Sequence, residues 1–564
     1  MRFVLLLCAA VVFGQAPDSR SATLQGRVTD PSSAVVAGVT VRVQNVSSNN
    51  IIRAVTDRQG AYTVSLLPGD YSLSVEASGF RRFTREGLVL PPGRTTTLDV
   101  VLEITAVTEQ VTVTAQTTPL EEQVLGMREV GENSARDVGE ALARMDGIWK
   151  IRKGGIANDV VLRGFQRDNI NVLVDGRRIH GACPNRMDPP AFHIDFAEIQ
   201  EVEVTKGAFD MKNQGSLGGV VNIISKTPAA GLRVTPQLST GSFGYLSSSA
   251  TASLSKESLY GLAGYSFRRS DPQRDGAGKR STDYANYRDA FRDAEAFATQ
   301  TGWFKFGAAP WRNHRLELGY TRQAGGQVLY PYLLMDALYD NADRASASYQ
   351  VYDLPGALQR LSLDGYFTRV NHWMTDEFRT SSVGSPRPYG MATFAATKTW
   401  GGRLEAEFRG LTLGLEGYRR YWNTVTTMRL AGAFTDQPST PNVSLAVAGV
   451  FAQYRRVVFR KLELHGGARL DHASSEARSS SLNTDIYWAY QNTRTRSGAD
   501  TAPSASLWLT YSLPRGFELF TGVGHTVRFP DPQERYFALR RMGTDWVGNP
   551  NLLPTKNTEA DAGV

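Results

Sequence analysis

A thiol and a thioether stand four residues apart in the stretch HGACPNRMDPP, His180 to Pro190. Cys183 and Met187 share a short loop there, stiffened by Pro184, Pro189 and Pro190. Both sulfurs are soft donors, and together they favour Cu(I) over hard cations such as Mg2+ or Ca2+. Zinc accepts thiolate but rarely thioether, so Met187 weighs against it. A second pair lies in GYFTRVNHWMTDEF, where His372 and Met374 are two residues apart and share a face in extended structure. The competing reading of the first pair is a buried cysteine beside a packing methionine. The second pair also occurs in strands that bind nothing. His180, His193 and Asp188 flank the loop, as alternative or outer partners of a metal or as ordinary loop residues.

The only other cysteine is Cys8, inside the opening MRFVLLLCAAVVFGQAPDS. Arg2, the apolar run Phe3 to Phe13 and the small residues after it read as a secretory signal peptide over residues 1–16. Leucines rather than small residues precede Cys8, which argues against lipid attachment. The exported form then holds one thiol, Cys183, and no intramolecular disulfide. In an oxidising compartment such a thiol must be buried, paired with another chain or bound to metal. No later apolar run approaches the roughly 20 residues of a helical membrane span. The net charge of +7 comes from interleaved basic and acidic residues, which excludes a nucleic-acid patch.

Three kinds of element must position these donors. Residues 22–103 alternate apolar and polar side chains between turns such as Pro68-Gly69-Asp70, which predicts a small β-sandwich. GRVTD, GVTVRV, TDRQGAYTV and LPGDYSLSVEASGF resemble the carboxypeptidase regulatory-like domain. That resemblance is to a non-catalytic module, and the region has no histidine with which to bind zinc. Residues 104–122 are extended and β-branched, without an obvious partner strand. Within residues 123–230, the helical spacing of Val138, Leu142 and Met145 precedes strands that end in glycine turns, a mixed α/β unit. Arg163-Gly164, Asp175-Gly176 and Lys206-Gly207, followed by Gly218, Gly219 and Asn222 in GSLGGVVNIISK, resemble the plug of TonB-dependent outer-membrane receptors. From residue 231 to 564 the chain alternates with period two and places Trp and Tyr near strand ends, the pattern of an antiparallel transmembrane β-barrel. The fold class expected is mainly β: a sandwich, a plug, and an incomplete barrel enclosing that plug.

The resemblance implies more. EQVTVTA resembles the box gripped by TonB, with Glu109, Gln110, Val111, Thr112, Val113 and Thr114 adding a strand to that partner. The plug loop CxxxM and the strand HxM together resemble the copper receptors of this family, which implies Cys183, Met187, His372 and Met374 as copper ligands. The expected function is uptake of copper, Cu(I) favoured, with no organic cofactor. The expected partners are TonB and its inner-membrane complex. The barrel would lie in the outer membrane, with the sandwich in the periplasm. The alternatives are a receptor for a siderophore, glycan or peptide, and an adhesive barrel without transport. No triad, phosphate loop or paired-carboxylate site suggests an enzyme. GNPNLLPTKNTEADAGV, Gly548 to Val564, resembles a segment preceding a strand well inside the family's barrel, with Thr555-Lys556 at its usual acidic position. With about a dozen candidate strands against about 22 in plugged transporters, and no terminal aromatic, the gene product is expected to continue past Val564.

Overall fold

Strands that face lipid on one side and protein on the other need only one apolar face, and the alternation of the C-terminal half builds such strands. A computed structural model describes residues 21–30, 33–46, 50–76, 80, 83–102, 122–126, 135–228, 231–256, 258–311, 313–430, 432–458, 461–541 and 543–564. The expected signal peptide and the TonB-box residues Glu109 to Thr114 lie outside them. Two compact units are present, residues 1–109 and 110–564.

The first unit is the sandwich. One sheet orders the strands Ile51–Val55, Thr40–Asn45, Gly69–Glu76 and Phe83–Leu90; the other centres on Ala22–Thr29, paired with Ala61–Leu66. Leu24, Val41, Val43, Tyr62, Leu73 and Val75 fill the core between them.

In the second unit, fourteen strands run from Gly231–Gly241 to Thr555–Gly563, each antiparallel to the next described barrel strand. The sequence suggested about a dozen. The strand Tyr245–Ser255, YLSSSATASLS, shows why the difference arose: its serines and alanines give little hydrophobic contrast. The alternation is inverted relative to a soluble sheet. Leu470 is 50% exposed on the outer face, while its neighbours Arg469 and Asp471 are 5% and 2% exposed on the inner one.

The plug has a five-stranded sheet ordered Arg177–Arg178, Ile170–Val174, Gly219–Ser225, Ile199–Lys206 and Glu122–Leu125. The helix Val138–Leu142 packs on it through Val138 and Leu142, with Met145 completing the apolar face that the spacing predicted. Asp137 caps this helix by accepting from the Glu140 amide at 2.8 Å. Plug residues meet barrel strands widely separated in sequence, so the sheet curls round the plug. Arg177 pairs with Asp364 at 2.9 Å, Glu198 with Arg344 at 2.6 Å, and Arg163 with Glu559 at 2.7 Å.

The plug motifs shape turns and close approaches. Asp175 and Gly176 have φ of 50° and 76°, a two-residue hairpin in which both positions are left-handed. Asp175 accepts from the Ser225 amide, and the Gly176 amide donates to Asn222. Arg163-Gly164 turns between Asp159–Leu162 and Phe165–Gln166, and the Gly207 amide donates to the Gly218 carbonyl. Lys206 and Gly219 face each other in the ladder between the two longest plug strands.

Candidate metal site

The loop carrying Cys183 is held from both sides. Its turn closes when the Arg186 amide donates to the Cys183 carbonyl at 2.9 Å, with Arg186 at a left-handed φ of 53°. The Asp188 carboxylate accepts from the Ala182 and Cys183 amides at 2.6 and 2.8 Å, which folds the loop back on itself. Gly181 is required for that fold, because a Cβ there would lie 2.1 Å from the Asp188 carbonyl oxygen. The Arg186 guanidinium reaches Asp159 in a two-pronged ion pair, both contacts 3.1 Å. From the barrel, Trp422 Nε1 donates to the Ala182 carbonyl at 2.7 Å and the Tyr330 hydroxyl to the Met187 carbonyl at 2.5 Å. Backbone groups on both sides of the thiol are therefore fixed by side chains.

Opposite the loop runs the strand Leu358–Thr375, whose Thr368, Val370, His372 and Met374 are buried, as alternate residues of one face. Cys183, Met187, Met374 and His372 are 3%, 1%, 1% and 0% exposed, so water does not reach any of the four. Cys183 Sγ lies 3.7 Å from Met374 Sδ. Two sulfurs bound to one ion at about 2.3 Å, in tetrahedral arrangement, stand about 3.8 Å apart. Met187 belongs to the same enclosed cluster, with Ile156, Phe192, Phe297, Val328 and Ala337 around it. The His372 ring is within interacting range of the Cys183 thiol. Its Nδ1 is 2.7 Å from Asp340 Oδ2, and its Nε2 is buried without a hydrogen bond. A carboxylate on one ring nitrogen fixes the tautomer and leaves the other nitrogen's lone pair for a metal. The four residues singled out in the sequence are thus neighbours, two from the plug and two from one barrel strand. Three sulfurs and an imidazole in a dry pocket can hold a soft monovalent ion.

The flanking residues diverge. His193, on the turn Pro190–His193, stands between Asp188 and Asp340, at 3.7 and 3.3 Å. Burial acts to raise the Asp188 carboxyl, but His193, His372 and the Ala182 amide outweigh it and hold it down at about 2. His180 instead lines a cavity with Arg167, Arg186, Arg420, Arg528 and Asp531. Burial, then Arg420, Arg178 and Arg186, push its ring well below the ordinary histidine range. Asp340, Trp422 and Tyr330 carried no signal in the sequence. Asp340 is one acid among many in the barrel, and only the register that pairs it with His372 gives it a role.

Comparison with known proteins bears on the whole assembly. Residues 23–103 match the carboxypeptidase regulatory-like domain, 114–220 the TonB-dependent receptor plug domain, and 242–564 the TonB-dependent receptor-like β-barrel. The chain belongs to the TonB-dependent receptor family. Members of that family are outer-membrane proteins, and the curled sheet with its lipid-facing apolar side is consistent with that location. The TonB-dependent transporter Oar of Myxococcus xanthus is 26% identical over 241 residues, 40% of this chain and 22% of that protein. The vitamin B12 transporter BtuB of Vibrio cholerae serotype O1 is 26% identical over 134 residues, 23% of this chain and 22% of that protein. The chain therefore spans about a fifth of the length of these curated relatives. Among solved structures, the copper transporter OprC superposes with a TM-score of 0.68 at 25% identity, covering 79% of this chain and 70% of its own. The hemophore receptor HasR of Serratia marcescens superposes with a TM-score of 0.59 at 17% identity, over 79% of this chain and 69% of its own, which reflects the shared fold alone.

Proposed function

We propose that this receptor binds copper, as Cu(I), between plug and barrel and passes it inward across the outer membrane when TonB pulls on the plug. The observation that carries the reading is the meeting of Cys183 with Met374 at 3.7 Å across the plug–barrel boundary. Beside them are the open Nε2 of His372 and the thioether of Met187. Soft sulfur donors match Cu(I), and the apolar wall excludes the water that would favour harder ions. The likeness to the copper transporter OprC supports the same reading.

Four donors divided between two bodies make a site that moving the plug dismantles. Cys183 and Met187 travel with the plug, while His372 and Met374 stay on the barrel. TonB would take hold at Glu109 to Thr114 by pairing its own strand with that segment, a grip carried by backbone hydrogen bonds. Displacing the plug would then strip the ion of half its ligands at the moment a path opens.

The test is metal content by mass spectrometry of the full chain purified from copper-supplemented cells, beside Cys183→Ser. About one copper per chain, lost in the variant, is expected. Absence of copper from both proteins would remove the reading and return Cys183 to simple packing.

A further inference from the structure

Behind the sulfur donors lies a second set of a different kind. The His193 ring is completely enclosed, and neither of its nitrogens makes a hydrogen bond. One ligand atom each from Asp188, His193 and Asp340 lie within 4.8 Å of one another. Asp340 Oδ1 also has no hydrogen-bond partner, and it sits 3.3 Å from His193 Nδ1. That spacing is what two donors about 2.0–2.1 Å from one tetrahedral ion would show. A third oxygen is offered by the strand paired with that of Asp340. Gln323 Oε1 is buried without a partner, while Gln323 Nε2 donates to the Phe192 carbonyl at 3.2 Å, next to His193. Gln323 pairs with Ala342, two residues from Asp340 on the same inward face.

Charge points the same way. Asp188 and Asp340 are both enclosed, and the basic groups nearest to their carboxylates are the His193 and His372 imidazoles. Buried carboxylates need a cation close by, and unpaired buried polar atoms are seldom left without a ligand. The Asp340 carboxylate is already divided: Oδ2 receives His372, and Oδ1 looks toward His193.

We propose that Asp188, His193 and Asp340, with Gln323 Oε1 as fourth donor, form a second metal site that takes a borderline divalent ion such as Zn2+. Imidazole and carboxylate oxygens suit that class of ion, and the set lacks the thioethers that zinc rarely accepts. The site is independent of the copper reading, since no sulfur belongs to it. It touches that reading at Asp340, where one carboxylate would bridge the divalent ion and the ring of His372.

The experiment equilibrates the full detergent-solubilised chain with Zn2+, removes the excess and counts zinc by mass spectrometry. Wild type, Cys183→Ser and His193→Phe are compared, and far-UV circular dichroism reports whether each is folded. Wild type and Cys183→Ser should each hold about one zinc more than His193→Phe. Should His193→Phe misfold, Asp340→Asn, which can still accept from His372, gives the same comparison. Equal zinc in wild type and in the folded variant would overturn the proposal and leave His193 as a ring packed between two carboxylates. Zinc held by wild type and Cys183→Ser, with no copper in wild type purified from copper-supplemented cells, would instead strike the copper reading alone.

Discussion

The plug meets the barrel in two unlike ways. Around Glu198 the contact is ionic: Arg344 reaches both carboxylate oxygens at 2.6 Å, and Thr321 adds a hydroxyl at 3.3 Å. Around Cys183 the contact is made of sulfur, aromatic and aliphatic groups, and its polar bonds go to backbone. The ionic zone has its charges satisfied, so it holds position and has nothing left to offer a ligand. The sulfur zone leaves donor atoms unused. Holding and binding are therefore separable, and each can be broken without the other.

The largest effect should follow from Cys183→Ser. Losing an outer partner of a ligand weakens metal binding about 10–100-fold, so loss of a ligand itself should exceed that range. Competition for Cu(I) against a chelator of known strength measures it, and the plug should stay seated. Arg344→Ala should do the reverse. Glu198 would keep a buried charge without its cation, a loss of about 3 kcal/mol. Hydrogen exchange in the plug should rise while copper per chain stays constant.

Asp340→Asn sharpens the boundary between the zones, because it leaves all four donors in place. Weaker orientation of His372 should lower Cu(I) affinity about 10-fold or more, with plug exchange unchanged. A smaller effect, confined to acid, comes from Asp175. Burial acts to raise this carboxyl, but Lys305, Arg177 and Ser225 together bring it to about 2. A carboxyl depressed on folding stabilises the plug above its unfolded value and loses that contribution as pH falls toward the folded one. Roughly 2 kcal/mol should disappear between about pH 4 and about pH 2. Urea unfolding followed by plug exchange would register it in wild type and not in Asp175→Asn. Arg163→Ala should change least. Its side chain is 31% exposed, and pairs of that kind contribute about 0–1 kcal/mol.

Much of this architecture was legible from the chain alone, because local chemistry carried it. Period-two alternation announced the barrel, and the glycine turns announced the plug. Cys183 and Met187 stood out as soft donors in one stiff loop. The strand holding His372 carries a weaker alternation. Its inner face mixes Thr368 and His372 with Val370 and Met374, where a barrel interior is usually polar. That apolar lapse marks the donor pocket, since the wall facing it must be dry. Asp340 and Trp422 could not be found by pattern, because strand register and the path of the sheet round the plug bring them to the loop. His180 and His193 looked alike in sequence, yet one faces an arginine-lined cavity and the other two carboxylates. Twelve residues between them were enough to send the rings apart.

X-ray absorption at the copper edge of the Cu(I)-loaded full chain tests the central claim most directly. We expect a first shell dominated by sulfur at about 2.3 Å, with imidazole scattering from His372, and one sulfur fewer in Met374→Leu. A shell of nitrogen and oxygen alone, unchanged in Met374→Leu, would contradict the account by showing that copper binds elsewhere.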